Sequence, residues 1–384
     1  MNFELTEEQV DIRDAVKEFC EGHFTSKLAM ECDRKEEFPR ELHRSAAELG
    51  LIGIHLPEEY GGGGYGCTEN VIVVETMCRA DSTLGTALFL SDLGCELIAR
   101  HGTDDQKERC LRGVAEGGMI SSVAFTEPAH GSALSERLDT VAVQAADRWG
   151  INGGKTLITN ASIADFFITL CQTNPEAERP YRGQSLFIVG SDAAGVEVRK
   201  IEGKLGIRAS PLGEVTFEDV SLPLEGLLGE RDRGFYHTMD FFNESRVEIA
   251  AQGVGIAQGA LDRALGYAKE REVSGVRISD FQAISHKLAD MMIKIEGARL
   301  LVYKAAWLVD QGRPDPAMSS MAKARAGRVA VEVADDAIQI LGGYGYIGEY
   351  EVERFFRDAK ITEIYEGTTE IQKNTVARFL LRKS

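Results

Sequence analysis

Long apolar runs are missing from this 384-residue chain. None approaches the ~18 residues a membrane-spanning helix needs, so no segment is expected to cross a bilayer. Positive charge is also short: 43 Lys and Arg stand against 61 Asp and Glu, a net charge of −18. Such a surface repels a nucleic-acid backbone. An anionic nucleotide must then be met by local donors, such as Arg246, Arg271 and backbone N–H groups. Paired cysteines are absent as well. The seven cysteines, an odd number scattered from Cys20 to Cys171, include no CxxC. They read as free thiols filling core in a reducing compartment. His23, His43, His55, His101, His130, His237 and His286 lack metal-ligand spacing, so no metal is expected. Met1-Asn2-Phe3 leads straight into a helix start without a charged or apolar presequence, and the cytoplasm is the expected location. Two GxGxxG strings, at Gly61-Gly63-Gly66 and Gly343-Gly345-Gly348, lack the buried strand before and the helix after that a dinucleotide fingerprint requires.

What is present describes a globular enzyme: 43% hydrophobic and 27% charged residues, in a chain long enough for two or three domains. Residues 1–120 read as helix. Thr6 and Gln9 form a capping box ahead of a stripe of Val10, Val16, Phe19 and Cys20; helix is expected again over 70–80 and 84–100. Over 121–230 the period changes to short β-rich runs, namely Thr140 to Val143, Trp149 to Ile151, Phe166 to Cys171, Ser185 to Val189 and Val196 to Val198. Asn152-Gly153 reads as a hairpin turn, and a small antiparallel β domain fits. From 231 to 384 helix returns. Phe281, Ile284, Leu288, Met291, Ile295, Ala298, Val302 and Ala305 form an apolar seam three and four apart. Asp315 with Pro316 starts the next helix, and Gly342-Gly343 ends it. Helices, then sheet, then helices make an α+β fold rather than a parallel α/β sheet.

The segment Ile361–Gln372, ITEIYEGTTEIQ, carries most of the chemistry. Glu366 lies between Tyr365 and the flexible step Gly367, with hydroxyls at Thr368 and Thr369. In a largely apolar pocket, desolvation raises such a carboxyl above its usual ~4.3 and suits it to removing a weakly acidic C–H proton. Three further segments keep it company. Phe125-Thr126-Glu127-Pro128-Ala129-His130-Gly131-Ser132 resembles the TEPxxGS turn of acyl-CoA dehydrogenases. Gly154-Lys155-Thr156-Leu157-Ile158-Thr159-Asn160 resembles their GxKxxITN strand. Gln339-Ile340-Leu341-Gly342-Gly343-Tyr344-Gly345 resembles their QxxGGxG helix end. With IYEGT these occur in the family's order and spacing, and the likeness runs from Leu5 almost to the C-terminus.

The resemblance implies the acyl-CoA dehydrogenase fold: an N-terminal helical domain, a middle antiparallel β domain and a C-terminal four-helix bundle. It implies FAD as cofactor, an acyl-CoA substrate, a homotetramer, and electron-transfer flavoprotein as acceptor. Glu366 would be the base, since Ser245 stands at the alternative base position before Arg246, and Glu244 is turned about 100° away. Phe125, Thr126, Ser132, Ile158 and Thr159 would hold the isoalloxazine. Arg271 would clamp the pyrophosphate across a subunit boundary, with Gln339, Gly342 and Gly343 on the adenine side and Thr368 and Glu370 also on the cofactor. Ser132, Asn243, Arg246, Tyr365 and Gly367 would contact substrate, joined by Asp92 if that residue faces the acyl pocket.

The chain departs from the family pattern at Ala133, Leu157, Val273-Ser274 and Asn243. Leu157 replaces a tryptophan near the docking site of the electron acceptor. The helix lining the pocket lacks the arginine with which glutaryl-CoA dehydrogenases hold a distal carboxylate, and Asp92 suits a long alkyl tail poorly, so a short, branched or cyclic acyl group is expected. Three readings stand: a dehydrogenase making a 2,3-enoyl-CoA; an enoyl-CoA reductase or an enzyme of a specialised cyclic, branched or carrier-bound acyl group; and a flavin-free helical scaffold.

Overall fold

The computed structural model describes residues 4–381, so the reading of Met1, Asn2 and Phe3 lies outside the described residues. The Thr6 hydroxyl accepts from the Gln9 N–H at 3.2 Å while Gln9 Oε1 accepts from the Thr6 N–H at 3.0 Å. That capping box starts α1 (Glu7–His23). Six helices follow: α2 (Ser26–Lys35), α3 (Arg40–Glu48), α4 (Cys67–Ala80), α5 (Ser82–Phe89), α6 (Cys95–His101) and α7 (Asp104–Ala115). The single helix expected over 84–100 is broken by a 3₁₀ turn at Leu90–Asp92 and by Gly94 at φ 90°. By length and composition Ser82–His101 is the one stretch among the described residues apolar enough to cross a membrane, with mean hydropathy 1.2, yet 94% of its most apolar window is buried inside the protein. Its apolarity is that of core.

Strands β1 (Ser121–Ala124), β2 (Val141–Ala145), β3 (Arg148–Thr159), β4 (Phe166–Gln172), β5 (Gln184–Gly190), β6 (Val196–Ile201), β7 (Leu212–Pro223) and β8 (Leu227–Leu228) form one sheet. The order is β6-β7-β3-β2-β4-β5-β8, with β1 beside β4. Pairing is antiparallel except for β1 with β4 and one β2–β4 bridge, which are parallel. β4 and β5 are buried on both faces, which is why they read as continuous apolar runs. Phe166, Ile168, Leu170, Leu186 and Ile188 join the helical core, while Phe167, Cys171, Phe187 and Val189 join a second core with Trp149, Ile151 and Phe217. The expected Asn152-Gly153 turn is not there. Those residues lie inside β3 at a bulge, and the two-residue turn is Ala146-Asp147, with Ala146 at φ 51°. Burial of Trp149 and Ile151 sets the register. Asn152 instead donates to Asp219 Oδ1 at 3.1 Å and accepts from its N–H at 2.8 Å.

The C-terminal helices are α8 (Gly234–Glu270), α9 (Gln282–Asp310), α10 (Pro316–Leu341), α11 (Val352–Ala359) and α12 (Thr369–Leu381), with a small hairpin of β9 (Glu272–Val273) and β10 (Val276–Arg277) after α8. Asp315 caps α10, accepting from the Ala317 N–H at 2.9 Å with Pro316 at the first position. Every residue of α8 from Glu244 to Leu261 is buried, so this helix is the axis of the bundle. α10, α9 and α4 surround it. α4 comes close because Gly255 and Gly259 have no side chain; a Cβ there would stand 2.5 Å from the Glu75 carbonyl and 2.4 Å from that of Arg79.

Candidate active site

Glu366 sits in the loop between α11 and α12 at φ 53°, followed by Gly367 at φ 90°. A non-glycine residue in the left-handed region is costly and is kept when its surroundings hold it. Four side chains do so. Ser245 Oγ donates to Glu366 Oε2 at 2.8 Å, and Arg246 Nε donates to the Glu366 carbonyl at 3.3 Å. Gln372 Nε2 donates to the carbonyls of Glu366 (3.0 Å) and Gly367 (2.9 Å). Lys323 Nζ, reaching in from α10, donates to the Gly367 carbonyl at 2.6 Å. Desolvation raises the Glu366 pKa above the ordinary carboxylate value, while Ser245, Arg246 and Lys323 pull it back. Burial in turn pulls the Lys323 ammonium down to about 7. Tyr365 OH donates to Gln252 Oε1 at 2.5 Å, fixing the residue before the carboxylate. Glu244 does point elsewhere: it pairs with Arg100. The Asn243 carbonyl accepts from Ser319 Oγ at 2.8 Å.

A chain of ring contacts ties the β domain to this loop. Phe125 meets Phe242 edge-on at 6.2 Å, and the Arg246 guanidinium lies 4.9 Å over the Phe242 ring. The loop carrying Phe125 and Thr126 is itself anchored by a sealed ion pair, Lys155 Nζ to Glu127 Oε1 at 2.8 Å, with both side chains fully buried. Glu127 also accepts from the N–H groups of Asp139 (2.7 Å) and Thr140 (2.9 Å). Burial works to raise its carboxyl, but Lys155 and these N–H groups hold it below the usual value. The Thr156 N–H donates to the Thr126 carbonyl at 2.9 Å, and Ser122 Oγ to the Thr159 carbonyl at 2.6 Å. Two of the motif segments therefore lie side by side. β3 bulges between Lys155 and Ile158, with Leu157 at φ 57° and 58% exposed, Ile158 buried and Thr159 half-buried. Ser132 is exposed.

Arg271 and Gly343 line one open cleft of about 460 Å³ with Tyr267, Tyr344 and Ile347. Arg271 lies 5.8 Å over the Tyr344 ring. No heavy atom lies within 4 Å of where a Cβ would stand on Gly342 or Gly343, and Gln339 is exposed nearby on α10. Thr368 Oγ1 accepts from the Ile371 N–H at 3.3 Å at the start of α12, where Glu370 is exposed.

This arrangement can be compared with known proteins. The acyl-CoA dehydrogenase N-terminal, middle and C-terminal domains match residues 6–118, 122–220 and 232–381. The chain is 41% identical to the short-chain specific acyl-CoA dehydrogenase of Clostridium acetobutylicum over 100% of both proteins. The chain belongs to the acyl-CoA dehydrogenase family. It is also 38% identical to the caffeyl-CoA reductase-Etf complex subunit CarC of Acetobacterium woodii, over 99% of this chain and 100% of that one. Its fold superposes on butyryl-CoA dehydrogenase from Megasphaera elsdenii with a TM-score of 0.94 at 37% identity, each chain fully covered.

As a member of that family the protein is an oxidoreductase acting on acyl-CoA. Two features near Glu366 and Asp92 escaped the motif reading: Lys323, and the buried groups His55 and Glu96 beside Asp92. Lys323 looks in sequence like one more basic residue of an Ala-rich helix, SSMAKARAG; only its spacing, three and four residues from Ser319, Ser320, Ala326 and Gly327 on the buried face, hinted at burial. Asp92 is buried, accepts from the Gly53 N–H at 2.9 Å, and stands near His55 and Glu96, which the motifs did not touch.

Proposed function

We propose that this enzyme removes the α proton of an acyl-CoA thioester with Glu366 and passes the β hydride to FAD, leaving a 2,3-enoyl-CoA. The observation that carries the reading is the Glu366 carboxylate, aimed by Ser245 and made more basic by desolvation. A stronger base suits a weakly acidic α C–H. The enolate that forms needs donors at the thioester oxygen in a site closed to water. In this reading the Glu366 N–H is one such donor, and Phe125, Phe242 and Tyr365 supply apolar walls. Arg246, Asn243, Ser132 and Gly367 complete the substrate contacts in this reading.

The residues fit FAD. Thr126, Ser132, Ile158 and Thr159 offer hydroxyl and backbone groups along a bulged strand, matching a ring edge that both donates and accepts. Gly342 and Gly343 leave open backbone beside Arg271 for a pyrophosphate, with Gln339, Thr368 and Glu370 toward the rest of the cofactor. Bound FAD supplies the hydride acceptor. Open cleft and β strip are separate surfaces of one chain, which supports a cofactor shared between subunits of a homotetramer. Exposed Ile293, Leu300 and Trp307, seven apart on α9, support that association. Electron-transfer flavoprotein is the acceptor in this reading, docking near exposed Leu157, and the cytoplasm is the compartment. The reductase direction uses the same atoms and is favoured by the likeness to CarC.

Glu366→Gln tests the proposal. The variant should keep flavin and bind acyl-CoA, yet reduce the flavin ~10²–10⁴-fold more slowly under anaerobic conditions. Near-normal reduction would overturn it.

A further inference from the structure

The first turns of α8 carry a cluster of rings and charges that the chemistry at Glu366 leaves unused. Phe235 and Tyr236 stand half-buried there. Tyr181, on the 3₁₀ turn Pro180–Gly183 between β4 and β5, packs against both, with ring centroids 5.0 and 6.0 Å away. Two exposed arginines frame these rings. The Arg233 guanidinium lies 4.2 Å over Tyr236, and Arg182 stands beside the hydroxyls of Tyr236 and Tyr181. Neither arginine makes an ion pair among the described residues. The adjacent carboxylate, Asp232, accepts from Thr173 Oγ1 at 2.6 Å and faces Arg231 at 3.7 Å. In a chain of net charge −18, unpaired guanidinium groups laid on aromatic faces suit a ligand that is both flat and anionic. The rings stack a base, and the guanidinium groups pair with phosphate.

The place of the cluster says what else that ligand carries. Phe235, Met239, Phe242 and Arg246 recur four, three and four apart, so they form one stripe of α8. Phe235 and Phe242 both meet the β domain, through Tyr181 and Phe125. Exposure falls along the stripe: Arg233 is exposed, Phe235 and Met239 are half-buried, Phe242 and Arg246 are buried. The opposite wall is continuous as well. Gln184 Nε2 donates to the carbonyls of Leu134 and Glu136 at 2.9 Å each, and Arg137 Nη2 to that of Pro175 at 2.5 Å, tying the Ser132 loop to the Tyr181 turn. From Phe235 to Arg246 the helix rises about 16 Å. The pantetheine arm of a CoA thioester, ~13 bonds from sulfur to pyrophosphate, spans about 15 Å when extended. We infer that Tyr181, Arg182, Arg233 and Tyr236 hold the 3′-phospho-ADP end of CoA, with the adenine on the rings and the 3′-phosphate on the guanidinium groups. The enzyme then selects free CoA thioesters over acyl groups on a carrier protein's phosphopantetheine, which has no adenosine.

The inference rests on Glu366 marking the thioester end, and binding without turnover separates the two. The holoenzyme is titrated calorimetrically with CoA, with dephospho-CoA, which lacks only the 3′-phosphate, with pantetheine and with ADP. CoA should bind at least tenfold tighter than dephospho-CoA, and dephospho-CoA tighter than pantetheine. Arg182→Gln combined with Arg233→Gln should bring CoA down to the level of dephospho-CoA. Tyr236→Leu should weaken both nucleotides and leave pantetheine as it was. Thermal melts and flavin absorbance establish that each variant is folded and loaded. Equal affinity for CoA and dephospho-CoA, or a CoA preference that survives the double arginine variant, overturns the inference. ADP binding as tightly as CoA would make the patch a general nucleotide site and overturns it as well. The base is scored apart: Glu366→Gln protein should keep the full CoA preference, whereas rapid flavin reduction in that variant fails the base assignment and leaves the binding result standing.

Discussion

The Lys323 ammonium donates to the Gly367 carbonyl at 2.6 Å, one residue past the Glu366 carboxylate and from a different helix. It therefore acts on the carboxylate in two ways, fixing the loop and supplying a nearby positive charge. Lys323→Met removes both. The catalytic rate should fall about 10²-fold through misplacement of the base, with KM moving less. The sign of the pH effect follows from the charge: without this cation the Glu366 pKa rises further, so the acid limb of the rate profile moves to higher pH. Lys323→Arg should restore part of the rate and the limb. A profile left in place by Lys323→Met would reduce Lys323 to packing.

Breaking the sealed pair of Glu127 and Lys155 should be expensive. Glu127→Gln or Lys155→Met leaves one buried charge unmatched, which typically costs ~3–5 kcal/mol. The double variant should recover much of that loss. Because the pair anchors the loop of Phe125 and Thr126, flavin content should fall with each single change. Thermal melts and absorbance of the purified variants check both; additive losses in the double variant would mean that the two groups do not work as a pair.

Arg271→Ala should release flavin and tetramer together, if the cleft it shares with Gly343 takes cofactor from a neighbouring subunit. Charge-assisted hydrogen bonds of ~1.5–3 kcal/mol each are lost. Size-exclusion with light scattering, read beside the flavin absorbance, decides the matter. A fully yellow monomer is the contrary result.

His43 is buried beside Phe38, and burial lowers its pKa to about 4. The unfolded chain binds this proton from about pH 6.5 downward, so stability is full above that and falls as pH drops toward 4. The loss is on the order of 3 kcal/mol by linkage. His43→Leu should flatten part of the difference between urea midpoints at about pH 7.5 and about pH 4.5. His101, also held near 4 by burial and by the charge of the neighbouring His237, keeps the remainder. An unchanged difference would clear His43 of the effect.

Local rules were legible wherever one short segment decided the outcome. Thr6 with Gln9, and Asp315 with Pro316, announced helix starts because a cap involves neighbours a few residues apart. Glu366 was legible through its motif. The turn at Asn152-Gly153 was misread because burial of Trp149 and Ile151 outweighed a local turn preference, leaving Ala146-Asp147 to turn. The break at Leu90 to Gly94 was hidden inside an apolar run whose period suited helix. His55, Glu96 and Glu248 could not be grouped at all, since nothing in their spacing shows that a loop and two helices meet there.

The close crossing of α4 over Gly255 and Gly259 has a bearing on synthesis. α4 ends at Ala80, yet the helix it must dock on begins at Gly234. At ribosomal speeds the intervening stretch takes roughly ten to thirty seconds to emerge. For that time Val71, Val73, Val74 and Met77 have no finished surface to bury against. Nascent chains of this protein should therefore lean on chaperones early, and slowing translation beyond Ala80 should lower the soluble yield more than slowing it after α8 is complete.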